Sequence, residues 1–143
     1  MNTHERKMCG ILKRGKDSYG VVATKAEFEA EGTRTDELLS LLVIAHRVDV
    51  DIALKVSGCE AMRNMLEAKQ FVVRYIISPM AKAPHALGKY IQAIGNVFAL
   101  EEREKISFIC KIETITAYEN IEAMAALASS TSECNDVFFG RAC

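Results

Sequence analysis

Short apolar runs alternate with helix-like segments along this chain of 143 residues. The runs have the length of buried strands and occupy residues 20–24, 52–56, 72–78, 106–112 and 136–139. Segments with apolar residues at helical spacing occupy residues 36–48, 60–70, 84–99 and 121–127. Strands and helices that alternate at intervals of about 30 residues are typical of right-handed βαβ units. The sequence therefore predicts an α/β fold with about five parallel strands.

The domain organisation follows from the same pattern. We predict a single domain over residues 1–143, with residues 1–19 as a helical lead-in to the first strand. The charged residues 101–105 are predicted to form a solvated connection between a helix and the fourth strand. Because half of the residues are hydrophobic, the chain can build the core that such a domain needs.

Charge and composition argue against two classes of partner. With 18 basic against 19 acidic residues, the chain lacks the basic excess that nucleic-acid phosphates require. No apolar run approaches the ~20 residues of a membrane helix, and the amino terminus lacks the apolar centre of a secretory signal. The five cysteines are scattered without a Cys-x-x-Cys pair, which favours reduced thiols. We therefore predict a cytoplasmic protein with no nucleic-acid or membrane partner.

Two architectures suit such units, an open doubly wound sheet and a section of a (β/α)8 barrel. A dinucleotide-binding doubly wound sheet would carry Gly-x-Gly-x-x-Gly after its first strand. Residues 25–34 instead contain three glutamates and one glycine, which disfavours pyrophosphate binding. Polar residues at successive strand ends favour the barrel, whose active sites form there. These residues are Lys25, Glu27, Lys55, Ser78, Glu113 and Arg141.

Glu113 stands out because it follows a buried strand and precedes the segment from Asn120 that we predict as a capped helix. Metals and substrates bind at such strand ends in α/β folds. The alternative is a solvent-facing or helix-capping carboxylate. Lys55 has the same two interpretations, as a site cation or as a lysine that extends its charge into solvent.

Five short segments follow one another with suitable gaps. They are Lys-Ala-Glu-Phe-Glu-Ala-Glu-Gly-Thr-Arg (25–34), Ile-Ala-Leu-Lys-Val-Ser-Gly-Cys-Glu-Ala (52–61), Tyr-Ile-Ile-Ser-Pro-Met (75–80), Lys-Ile-Glu-Thr (111–114) with Asn-Ile-Glu (120–122), and Asp-Val-Phe-Phe-Gly-Arg (136–141). In this order they resemble the HpcH/HpaI aldolase and citrate lyase β-subunit family, the class II pyruvate-type aldolases. The resemblance covers residues 20–141.

The resemblance implies a TIM-barrel enzyme that acts on a 2-oxo acid or an acyl-CoA with Mg²⁺ or Mn²⁺. We also predict a homo-oligomer, because the unpaired edges of an open parallel sheet invite pairing with another chain. The resemblance implies that Glu113 is a metal ligand and that Lys55 neutralises the substrate carboxylate or the forming enolate. We predict Lys55 and Glu27 as the catalytic residues; the alternative for Glu27 is a carboxylate that orients Arg34. Oxygen ligands suit Mg²⁺ and Mn²⁺, which would act as Lewis acids on the developing enolate. The residues implied to line the substrate pocket are Pro79, Met80, Gly140 and Arg141.

The sequence departs from the family pattern at three points. Cys143 stands about where the second metal-binding aspartate is expected, and thiolate is a poor ligand for magnesium. Lys55 replaces a cation that is often arginine in relatives and so loses the bidentate fork. About five of the eight strands of a barrel are visible. The alternative function is therefore a catalytically inactive, truncated relative that serves as a structural or small-molecule-binding module.

Overall fold

The computed structural model describes residues 1–19, 23–27, 35–131 and 137–141. Within these ranges the helices are α1 (Thr3–Tyr19), α2 (Thr35–Arg47), α3 (Met62–Gln70), α4 (Pro84–Val97), α5 (Leu100–Arg103), α6 (Ile115–Glu119) and α7 (Ile121–Ser130). The strands are β1 (Ala23–Glu27), β2 (Asp51–Lys55), β3 (Tyr75–Ser78), β4 (Ser107–Ile112) and β5 (Val137–Arg141). The predicted α/β alternation is confirmed.

The strands of the described ranges form one sheet in the order β1-β2-β3-β4-β5, and every neighbouring pair is parallel. A doubly wound sheet would reverse this order at a switch point, so that helices cover both faces. Here each strand is added to the same side of the one before it. Right-handed crossovers in one direction place the connecting helices on one face of the sheet. This arrangement is typical of a singly wound sheet such as the wall of a barrel.

Side-chain burial distinguishes the two faces of the sheet. Leu54, Ile76 and Phe108 are register neighbours on one face, and each is at most 2% exposed. The side chains of Lys55, Ile77 and Ile109, which are register neighbours on the other face, are only partly buried. The first set therefore packs beneath the helices, and we name the second, less covered face the open face.

Aromatic packing fastens α4 to the centre of the sheet. The Tyr90 ring meets Phe108 edge to face at 6.5 Å between centroids, and Phe98 meets the same ring at 5.5 Å. The Tyr90 hydroxyl donates a hydrogen bond of 3.0 Å to the carbonyl oxygen of Ile76 in β3. Burying these rings contributes several kcal/mol, and edge-to-face geometry adds about 1 kcal/mol per pair.

The third strand begins later than its apolar run predicts. The run starts at Val72, but β3 begins at Tyr75 because α3 ends in a Schellman turn. The amide of Val73 donates to the carbonyl of Ala68 at 3.4 Å, and Val72 adopts φ = 53°. Val72 is 84% exposed, so this apolar side chain is not part of the core.

Other predicted bounds also require correction. The charged connection at residues 101–105 contains the one-turn helix α5, in which a Glu102 oxygen accepts from the Ala99 amide at 2.7 Å. Strand β1 lies three residues later than predicted at its start, and residues 20–22 lie outside the described ranges. The Asn120 side chain does not cap α7 but donates to the carbonyl of Thr116 at 2.8 Å.

We expect Val72→Gly to raise the free energy of unfolding by about 1 kcal/mol. A β-branched residue is strained at positive φ, whereas glycine adopts this conformation without a Cβ clash. Chemical denaturation of both proteins would measure the difference. The neighbouring change Val73→Gly is the matched control: Val73 is 3% exposed, and its loss should destabilise the fold by about 2 kcal/mol. Destabilisation by Val72→Gly would contradict the interpretation of strain.

Candidate functional site

The carboxyl ends of the parallel strands converge on one edge of the sheet. Register pairs Glu27 with Lys55 and Ile112 with Arg141. Pro79 follows directly after β3. The sequence-predicted residues therefore lie at one edge, which we name the carboxyl edge. They are Glu27, Lys55, Pro79, Met80, Glu113, Gly140 and Arg141. The side chains of β1 and β5, and Cys143, lie outside the described residues.

Glu113 is the acceptor at the centre of this edge. Its Oε1 is in an ion pair with the Lys111 ammonium, and its Oε2 accepts a hydrogen bond of 3.2 Å from the Met80 backbone amide. The side chain of Glu113 is 16% exposed and that of Lys111 is 20% exposed, so the pair is largely screened from water. Met80 has φ = 40°, a left-handed conformation, in the loop after β3. Both oxygens of the carboxylate are thus engaged by the protein.

Lys111 is the site residue that sequence reasoning missed. It belongs to β4 and precedes Glu113 by two positions. Since side chains alternate along a strand, residues two apart point to the same face. Glu113 follows the last residue of β4, so this spacing was the signal that could have identified the pair. Lys55 and Ile109 lie on the same open face by register.

Electrostatics at the carboxyl edge favour the charged carboxylate. The hydrogen bond from the Lys111 side chain lowers the pKa of Glu113 below the usual 4.5, partly offset by desolvation. The charge of Lys111, the Met80 amide and the charge of Lys55 lower it further. Glu113 is therefore ionised at neutral pH and is a poor proton acceptor. The ammonium groups of Lys111 and Lys55 thus both stabilise the charged form of the Glu113 carboxylate.

The capping interpretation of Glu113 is not what the structure shows. Helix α6 begins at Ile115, and its N-cap is Thr114, whose side-chain oxygen accepts from the Ala117 amide at 3.1 Å. That bond satisfies one of the free amides at the helix start. Glu113 is left to contact Lys111 and the loop after β3.

Beneath the Pro79 loop lie a hydroxyl and two thiols. Ser78 is fully buried, and its Oγ lies 3.3 Å from the Cys59 sulfur. The Cys59 sulfur lies 3.8 Å from the Pro79 carbonyl oxygen. Burial raises the pKa of the Cys110 thiol to about 12, so this group stays protonated at neutral pH. These groups support the loop, and Cys110 does not supply a nucleophilic thiolate.

The described residues do not fit the expected Mg²⁺ or Mn²⁺. Magnesium is usually held by one or two carboxylates whose oxygens face the ion. Within the described part of the chain, no group of three or more histidine, cysteine or acidic side chains could hold a metal. Glu113 is bound to an ammonium instead. At an effective dielectric of 20, an ammonium about 4 Å from a divalent ion would repel it by about 8 kcal/mol.

Two grooves lined by described residues lie at the opposite, amino edge of the sheet. The larger has a volume of about 520 Å³ and is lined by residues that include Asp51, Lys69, Arg74 and Glu102. Four of its charged side chains compensate one another, because Lys69 pairs with Glu102 at 2.8 Å and Arg74 approaches Asp51 at 3.9 Å. We therefore assign the candidate site to the carboxyl edge.

Comparison with solved structures identifies the fold. An HpcH/HpaI aldolase from Desulfitobacterium hafniense DCB-2 superimposes with a TM-score of 0.65 and 12% identity, over 90% of this chain and 56% of that one. An HpcH/Hpal aldolase/citrate lyase family protein from Burkholderia cenocepacia J2315 superimposes with a TM-score of 0.67 and 13% identity, over 94% of this chain and 59% of that one. The chain has the fold of the HpcH/HpaI aldolases. The citrate synthase SbnG superimposes with a TM-score of 0.66 and 16% identity, over 93% of this chain and 56% of that one.

The predicted resemblance is thus confirmed at the level of fold. The sequence itself matches no protein-family profile and no curated protein. The chain spans 56% to 59% of the length of these three structures. None of the helices in the described ranges is both long enough and apolar enough to cross a bilayer.

We expect Glu113→Gln to lower the free energy of unfolding at neutral pH by about 1–2 kcal/mol, because a charge-assisted hydrogen bond is lost. A carboxylate whose pKa is lowered on folding stabilises the fold above its unfolded pKa. That stabilisation disappears as pH falls through the folded value. The difference between the two proteins should therefore shrink below pH 4.5. Denaturation curves of both proteins at neutral pH and at a pH below 4.5 would measure this difference in stability.

The matched control is Glu119→Gln, since Glu119 is exposed at the end of α6. We expect no change in stability from this substitution at either pH. Equal stability of wild type and Glu113→Gln at neutral pH would show that the pair with Lys111 contributes nothing.

Proposed function

We propose that this protein is a carbon–carbon lyase, aldolase-like or citrate-lyase-like, that acts on a 2-oxo acid or an acyl-CoA. The observation that carries the proposal is the ion-paired Glu113 at the carboxyl edge of a sheet with the HpcH/HpaI aldolase fold. Active sites of barrels lie at this edge. Because the chain spans about half of its structural neighbours, the activity of the whole protein is part of the proposal.

The residues at the carboxyl edge have distinct proposed roles. Lys55 and Glu27 are the proposed catalytic residues, with the Lys55 ammonium against the substrate carboxylate or the forming enolate. Positive groups placed where negative charge develops are an effective source of catalysis. The proposed lining of the pocket consists of Pro79, Met80, Gly140 and Arg141.

The proposed reaction suits this electrostatic setting. In cleavage of a 4-hydroxy-2-oxo acid, the hydroxyl loses its proton and forms an aldehyde as the adjacent carbon–carbon bond breaks. The electron pair of that bond moves to the 2-oxo oxygen and gives an enolate, which is then protonated to the 2-oxo acid. Ammonium groups near that oxygen stabilise the enolate. Glu113 is a poor candidate for the base, because Lys111 and the Met80 amide occupy its oxygens.

The cofactor expectation of Mg²⁺ or Mn²⁺ stays a prediction from the resemblance. The resemblance implies Glu113 as its ligand, whereas in the structure this carboxylate is paired with Lys111, so no step of the proposed reaction depends on the ion. When bound, such an ion would polarise the 2-oxo group as a Lewis acid.

Turnover of 4-hydroxy-2-oxo acids and of acyl-CoA substrates tests the function. We expect release of a 2-oxo acid or a free acyl-CoA, and Lys55→Met should lower kcat/KM about 100-fold, since one stabilising charge is lost. The control Lys89→Met removes a partly exposed lysine of α4 that pairs with Glu60 and should leave kcat/KM unchanged. Absence of turnover in the folded protein, with and without added metal, would contradict the proposal.

The second candidate is a catalytically inactive relative that binds a small molecule or serves as a structural part of a homo-oligomer. The ion pair of Glu113 with Lys111 favours it, because the ammonium competes with a divalent metal for this carboxylate. Thermal-shift measurements with 2-oxo acids and CoA thioesters test binding without turnover. Stabilisation by a ligand that is not consumed would support this candidate, and stabilisation by none would contradict the binding role.

A further inference from the structure

We propose that Lys111 is the resident cation of the carboxyl edge, and that its ammonium takes the place on Glu113 that a divalent metal would occupy. The site would then bind the carboxylate of a 2-oxo acid without a metal. This inference rests on the proposed substrate class and adds to it a metal-independent mode of binding.

The first argument is the position of the Lys111 ammonium. It contacts Oε1 of Glu113, while Oε2 accepts from the Met80 amide at 3.2 Å. The ammonium lies against the oxygen that would face an ion, and its positive charge would repel that ion. Exposures of 16% for Glu113 and 20% for Lys111 indicate a pair held in place rather than a mobile surface contact.

The second argument is the charge around the pair. The charge of Lys55 also acts on Glu113, so the carboxylate lies in the field of two ammonium groups. The Lys111 ammonium, in contact with Glu113, attracts an anion and repels a divalent cation that approaches the carboxylate. The partly buried Ile77 and Ile109 of the open face lower the local dielectric and strengthen both effects.

The third argument is the donor capacity of Lys111. An ammonium carries three N–H donors and no acceptor. Glu113 is the one partner that the structure gives to Lys111 within the described residues. The remaining donors can bind a carboxylate or a 2-oxo oxygen, while the bond to Glu113 fixes the direction of the ammonium. Glu113 is then a positioning residue for Lys111.

Oxalate binding tests the inference directly, since oxalate is a planar dianion that mimics the enolate of a 2-oxo acid. Isothermal titration calorimetry would use protein stripped of metal and kept in EDTA. We expect wild type to bind oxalate, Lys111→Met to bind at least ten times more weakly, and Lys111→Arg to retain binding within a few-fold. The control Lys89→Met should match wild type. Oxalate binding that requires added Mg²⁺, or equal binding by Lys111→Met, would overturn the inference.

A gain-of-function variant keeps the test decisive if Lys111→Met fails to fold. Lys111→Glu would place a second carboxylate on the same strand face, two positions from Glu113. We expect this variant to bind Mn²⁺, detected by the loss of the free-ion electron paramagnetic resonance signal, at least ten times more tightly than wild type. Lys89→Glu is the control. Tight Mn²⁺ binding by wild type would overturn the inference.

The outcomes separate this inference from the proposed function. Wild type that binds oxalate in EDTA through Lys111 but turns over no substrate supports the inference and contradicts the lyase. Turnover that appears only with added Mn²⁺ supports the lyase and overturns the inference.

Discussion

Sequential parallel pairing of the strands is the constraint on which the rest of the structure depends. Because each strand joins the same side of its predecessor, all strand ends meet at one edge and all crossovers run in one direction. One face of the sheet is then packed by helices, with Phe108 and Tyr90 at its centre. The other face is left for polar side chains near the carboxyl edge. The core and the site are therefore two results of one topology.

The site follows from strand alternation applied to that topology. On β4, the fully buried Phe108 and Cys110 face the helices, whereas Lys111 faces the open side. A single strand thus supplies both a core contact and a charge. Glu113 continues the Lys111 side one step beyond the strand, where the left-handed Met80 delivers its amide. The charged pair is placed by strand geometry on one side and by loop geometry on the other.

Sequence periodicity was sufficient for the fold class, because apolar runs and helical spacing directly reflect burial. It was sufficient to bring Glu113 and Lys55 to one edge, since parallel strands share their direction. It failed at the start of β3, where Val72 is apolar but lies in a helix-terminating turn at positive φ. The apolar character of a residue does not by itself show whether the folded chain buries its side chain.

Helix α6 and the contacts of Glu113 were not predicted from the sequence and became clear only from the tertiary structure. The helix α6 was missed because one turn is too short for a periodic pattern, although Thr114 is a suitable N-cap. The Met80 amide reaches Glu113 only because two loops from different βα units lie side by side. The two-residue spacing of Lys111 and Glu113 was a signal of their pairing, whereas the resemblance implied a metal at Glu113.

The amino edge of the sheet has a consequence for how such a chain can change over time. Its ion pairs join segments that are distant in sequence: Lys16 of α1 contacts Asp49, Lys69 of α3 contacts Glu102, and Arg74 approaches Asp51. None of these groups lies at the carboxyl edge. Substitutions that change the chemistry of the carboxyl edge therefore leave the ion pairs of the amino edge intact. Proteins with this fold can change ligand and reaction during evolution while they keep the contacts that stabilise the sheet.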